Sequence, residues 1–192
     1  MIDFERLTTL KNTFVILAWL IDYPDKETFS DELRQQVVHD QALSTVTRGE
    51  ILSLFDELAS LPSIERQEMY THLFEMNRRY TLYMSYYKMT DSRERGTILA
   101  RLKVLYEMFG VSEATSELSD YLPLLLEFLA YGDYLNDPRR QDIQLVLSVI
   151  EDGTYTLLKN AVTDGDNPYI QLIRITRSLI GSCIKMEVHE DA

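Results

Sequence analysis

The 192 residues carry 31 acidic and 19 basic side chains, a net charge of −12, with 45% hydrophobic and 26% charged residues. That is enough chain to bury a core without metals or disulfides. Its acidity argues against nucleic acid, whose phosphates would be repelled across most of the surface, and favours a basic partner. A lone cysteine, Cys183, has no internal disulfide partner and points to a reducing, cytoplasmic setting. At the N-terminus, Phe4 has an acidic residue on either side, unlike a secretory signal, and the longest apolar run, Phe14 to Ile21, is too short for membrane insertion.

Leu7, Leu10, Phe14, Leu17 and Ile21 recur at helical spacing and predict a first helix, closed where Tyr23-Pro24 disfavours helical geometry. A second is predicted across Phe29, Leu33 and Val37. Thr47 and Glu50 read as a capping box ahead of Ile51, Leu54, Phe55 and Leu58, and Leu61-Pro62-Ser63 closes that helix and opens the next. The longest helix is predicted from Glu65 to about Met89, with Met69, Leu73, Met76, Tyr80, Met84 and Tyr87 along one side. Asp91-Ser-Arg-Glu-Arg-Gly96 is a polar turn or first helical turn, before a helix through Ile98, Leu102, Leu105 and Phe109 that Gly110 stops.

Leu118 to Tyr131 is the most apolar segment. Ser119 and Asp120 can cap a helix and Pro123 is tolerated in its first turn. Leu122, Leu125, Leu126 and Leu129 then make one face, which Leu124 and Phe128 widen, so this helix must be central and buried. Asp137-Pro138 predicts the start of a helix through Ile143, Val146, Leu147 and Ile150, which Gly153 weakens without breaking. A turn at Asp164 to Pro168 precedes a last helix marked by Ile170, Ile173 and Ile180. No alternating runs suggest strands. The expected fold is all-α, a single compact helical domain of about eight helices over residues 1–186, with a flexible acidic tail over 187–192.

Residues that could carry chemistry do not form sets. His39, His72 and His189 belong to no H-x-x-x-H or C-x-x-C pattern, and Glu68 and His72 make a helix-surface pair rather than half a metal site. Asp164, Asp166 and Asn167 lack the spacing and terminal glutamate of a calcium loop. There is no glycine-rich phosphate loop or nucleophile elbow, and Cys183 sits in an apolar helix where packing explains it. Nothing in the spacing of Asp91, Glu94, Asp120 and Glu127 forces these carboxylates to converge. The expectation is a binding protein with no catalytic residues, no metal and no cofactor. Two binding readings stay open, a chaperone for a client peptide and a helical interaction or regulatory module with a different protein partner; an all-α enzyme, with no nucleophile or base to name, ranks below both.

Several motifs, in order, resemble the nitrate reductase assembly chaperones of the NarJ type, within the wider redox-enzyme maturation family that includes TorD and DmsD. Tyr70-Thr-His-Leu-Phe74 is similar to an aromatic-x-x-Leu-Phe motif, and residues 91–96 resemble a D/E-S-R-D/E-R-G turn. Leu118-Ser-Asp-Tyr-Leu-Pro-Leu-Leu-Leu-Glu-Phe-Leu129 is close to E-L-P-D-H-L-P-x-x-L-E-F/Y-L, and Tyr23-Pro24 fits as well. The resemblance implies a cytoplasmic, cofactor-free chaperone with a TorD/NarJ-like fold. Its partner would be the apo catalytic subunit of respiratory nitrate reductase, bound at an N-terminal, twin-arginine-like segment and held for molybdenum cofactor insertion before membrane attachment. Other cofactor-insertion proteins are further partners it allows. Carried onto this chain, the client-binding residues are Tyr70, Leu73, Phe74, Gly96, Asp120, Tyr121, Pro123, Leu126 and Glu127. The aromatic and leucine side chains would line a groove for an amphipathic peptide, and Asp120 and Glu127 would pair with its Lys or Arg. Where the motif has Asp-His, this chain has Asp120-Tyr121, which removes a group titrating near neutrality.

Overall fold

Capping side chains open four of the helices among the described residues. In the computed structural model, which describes residues 1–25, 27–88, 92–112 and 117–185, Asp3 Oδ1 accepts from the Arg6 amide and opens α1, Phe4–Thr9. The chain bends at Leu10 before α2, Lys11–Ile21, so the expected first helix is two. The Thr8 and Thr9 hydroxyls donate back to the Phe4 and Glu5 carbonyls just before the bend, a pairing that deforms a helix. Ser30 caps α3, Asp31–His39. Ser44, not Thr47, caps α4, Thr45–Ser60, because its hydroxyl accepts from the Thr47 amide; the Thr47/Glu50 capping box is thus corrected. Pro62 precedes α5, Ser63–Tyr70, and the buried Arg66 donates to the Leu58 and Leu61 carbonyls that α4 leaves free at its end.

The predicted helix from Glu65 to Met89 is the largest correction. After α5 the backbone widens into a π turn, Thr71–Glu75, and then leaves helical geometry. Asn77 Oδ1 accepts from the Arg79 amide and the Asn77 carbonyl from the Tyr80 amide, a local turn that competes with continuing a helix. Residues 76–88 form an irregular strap across the molecule. It is stitched to the start of the next-but-one helix: the Met84 amide donates to the Asp120 carbonyl and the Leu122 amide to the Leu82 carbonyl.

Helix α6 runs Ser92–Met108, and Gly110 after it has φ 76°, a conformation that costs a side chain energy. Asp91 of the polar turn and the tail from 187 on lie outside the described residues. The apolar segment forms α7, Leu122–Tyr131, with Leu122, Leu125, Leu126, Phe128 and Leu129 all fully buried. Tyr121 rather than Ser119 or Asp120 occupies its cap position, and no side chain caps it. Asp137 does not open a helix either: its carboxylate binds the Arg139 amide and guanidinium, and a short 3₁₀ turn, Arg140–Ile143, leads into α8, Gln144–Asn160. Asn167 caps α9, Pro168–Ser182, with Pro168 first in the helix.

Among the described residues the fold is all-α, with nine α-helices. Helix α7 lies against α2 and α8, and α9 packs on α8, α4 and α2, so one hydrophobic core joins both ends of the chain. No helix among the described residues is long and apolar enough to cross a membrane.

Candidate functional site

Where the strap crosses the start of α7, a cleft of about 780 Å³ opens. Its floor is aromatic. The Tyr70 ring, at the end of α5, meets Tyr23 edge-on at 5.5 Å and Phe74 at 5.0 Å, with Tyr169 of α9 behind both at 5.4 and 5.9 Å. Tyr83 from the strap and Tyr121 from the α7 cap position lie 5.5 Å apart. Such pairs hold rings in fixed orientations and add to their burial.

A chain of hydroxyls crosses the cleft. Tyr121 Oη donates to Asp22 Oδ1 at 2.8 Å. Having only one proton, it accepts from Tyr70 Oη at 2.9 Å. Burial pushes both phenols well above the usual tyrosine range, so they stay protonated donors at any ordinary pH. Tyr83 donates to Glu117 Oε2 at 2.5 Å, and its phenol is pushed up to about 12 by burial and by that carboxylate. The rim carries Asp22, Glu75 and Glu117 against Arg78 and Arg95, and Arg95 is already paired with Asp120.

The residues singled out from the sequence fall into distinct places. Tyr70, Phe74 and Tyr121 line the cleft together. Leu73 is buried behind it, and Pro123 and Leu126 are inside the α7 core. Asp120, expected to present a charge, is fully buried: Oδ2 accepts from the Ser85 amide and hydroxyl at 3.1 and 2.5 Å, and Arg95 Nη2 lies 3.3 Å away. It is a clasp that holds the strap and α6 to α7. Glu127 is half-buried on α7, its carboxyl pushed up by burial and by the charge of Asp22. Gly96 is exposed on α6 and faces a different groove, with Ala100, Val104 and Leu145.

Sequence reading missed Asp22, Tyr83, Tyr86 and Glu117 as cleft residues. A signal existed for the tyrosines: Tyr83 and Tyr86 are aromatics on what would be the polar side of a helix, a pattern that suits a strap better.

An all-α chain folded around an open aromatic cleft is the class this geometry defines. Within it, the chain belongs to the nitrate reductase delta subunit family, whose pattern matches residues 40–171. It is 29% identical over 163 residues to the probable nitrate reductase molybdenum cofactor assembly chaperone NarJ of Bacillus subtilis, covering 85% of each chain. To the Escherichia coli K12 chaperone NarJ it is 28% identical over 118 residues, 60% of this chain and 50% of that protein. A probable chaperone of the same kind in that organism, NarW, is 25% identical over 174 residues, 90% of this chain and 69% of that protein. These relatives are chaperones by name, not enzymes, and the chain groups with them.

Proposed function

We propose that this chain is an assembly chaperone for a respiratory nitrate reductase. It binds the N-terminal segment of the apo catalytic subunit in the Tyr70–Tyr121 cleft and supports molybdenum cofactor insertion before the enzyme reaches the membrane. The observation that carries the reading is convergence: Tyr70 and Phe74, Arg95 of the polar turn, and Tyr121, which lie in separate stretches of sequence, line one cleft. Asp22, Glu75 and Glu117 on its rim, with a net charge of −12 behind them, suit a segment that is basic and apolar by turns. Of the family's motif residues, Tyr70, Phe74 and Tyr121 touch the client, while Leu73, Pro123, Leu126 and Asp120 shape the cleft from inside the fold.

Calorimetry with the client's N-terminal peptide tests this. Tyr23 and Tyr86 are about two-fifths exposed, so replacing them leaves the core intact. Tyr23→Ala and Tyr86→Ala are each expected to weaken binding about tenfold, as loss of an aromatic anchor does. No measurable binding, or affinity untouched by both changes, would refute the reading.

A further inference from the structure

Next to the aromatic cleft lies a second hollow, reached along the seam between α2 and α7. The two helices run antiparallel: Asp22, after α2, bonds Tyr121 before α7, while Lys11 and Val15 share the hollow with Ala130 and Tyr131. The hollow measures about 640 Å³. On its lip stand Trp19 and Tyr131, 49% and 65% exposed. Large aromatics grouped at a surface concavity mark contact sites more than scattered ones do.

Between the two concavities stands Glu127. Counting along α7, it is about 9 Å of helical rise from Tyr121 and about 6 Å from Tyr131. Among the described residues it has no hydrogen-bond or ion-pair partner, and burial and the charge of Asp22 both push its carboxyl up. Asp22 in turn is met, among the described residues, by neutral donors, the Tyr23 amide and the Tyr121 hydroxyl. Although Arg78 and Lys11 line the flanking cleft and hollow, among the described residues neither of these two carboxylates, one of them half-buried, is paired with a cation. Isolated, they repel and lose hydration; a guanidinium or ammonium from outside would relieve both costs.

We propose that the α2/α7 seam is a binding track that takes an amphipathic segment whose Lys or Arg sits between Glu127 and Asp22. Apolar side chains on either side of that cation enter the Tyr70–Tyr121 cleft and the Trp19–Tyr131 hollow. In a helical segment the two apolar anchors stand about ten residues apart, from the roughly 15 Å that α7 rises between Tyr121 and Tyr131. The track rests on the client-peptide reading for whose segment it holds, and on the seam itself for the chemistry it accepts.

Trp19 is the only tryptophan in the chain, so its emission reports on the second hollow alone. Two probes are titrated into the full chain: the N-terminal peptide of a nitrate reductase catalytic subunit, and a synthetic helical peptide with leucine anchors ten residues apart and one arginine between them. Both are expected to shift Trp19 emission to the blue. Glu127→Gln and Tyr131→Ser, changes at half-buried and exposed positions, should each weaken binding about five- to tenfold. A synthetic peptide with glutamate in place of its arginine should prefer the Glu127→Arg variant to the unaltered protein, as a charge-swap cycle requires. If the client peptide binds by calorimetry but leaves Trp19 emission and the affinities of both variants unchanged, the track is wrong and the cleft reading stands. If the client peptide does not bind by calorimetry and only the synthetic peptide shifts Trp19, the track stands and the client's identity is wrong. If neither shifts it, the track is overturned.

Discussion

Removing the Asp120 carboxylate would strand the Ser85 amide and hydroxyl and deprive Arg95 of its buried partner. Asp120→Ala is therefore expected to cost about 2–4 kcal/mol in urea unfolding, the range for a buried, charge-assisted cluster opened at one member. Asp120→Asn should cost less, since its amide oxygen can still accept from Ser85. Glu127 behaves oppositely. Burial and the Asp22 charge raise its carboxyl above 4.5, so the folded state favours the protonated form. The stability tied to that form is fully present below the unfolded value and is lost as pH rises through the raised folded value. At neutral pH the carboxylate is a burden to the free protein, so Glu127→Gln should melt higher than the unaltered chain there. Below 4.5 the gap should close. A residue that weakens the empty protein yet helps it grip a cation is a functional residue by the usual trade.

Strap and helix meet at Gly153. A Cβ there would lie 2.7 Å from the Met84 carbonyl oxygen, Cβ and sulfur, so α8 can approach the strap only through a glycine. Alanine would favour the α8 helix by about 1 kcal/mol, but a backbone oxygen cannot swing aside as a long side chain can. The clash outweighs the gain, and Gly153→Ala should destabilise by about 1–3 kcal/mol, with faster amide hydrogen exchange at Met84, whose bond to Asp120 would open first. The strap is also where the sequence was least legible. Leu73, Tyr80 and Met84 are buried as their spacing suggests, but Met76 is exposed, because period alone cannot distinguish a helix from an irregular path that returns to the core at similar intervals. Helices such as α4, α7 and α9 were readable because each has one uninterrupted apolar stripe. Tyr70, Phe74 and Tyr121 were recognisable as a set by motif order, whereas Asp22 and Glu117 were not: an acidic residue at a helix end looks the same whether it meets water or a tyrosine hydroxyl from a hundred residues away. Asp120 was misread as a helix cap, since its partner Ser85 lies on the segment whose course was wrong.

At the scale of the whole molecule, the excess of acidic over basic side chains sets how a basic client arrives. Raising salt from about 0.05 M to about 0.5 M should slow association roughly tenfold while changing dissociation little, measured by stopped-flow mixing, since screening acts on long-range attraction more than on seated contacts. The cleft itself is a product of distant chain: Asp22 and Tyr70 come early, Tyr121 closes the hydroxyl chain, and Tyr169 of α9 backs Tyr70 and Phe74. A chain that stops short of Tyr169 has therefore made the walls of the cleft without the ring that holds Tyr70 and Phe74 in place. The grip thus depends on α9 packing behind the cleft, and a copy without that helix is expected to hold its client more loosely.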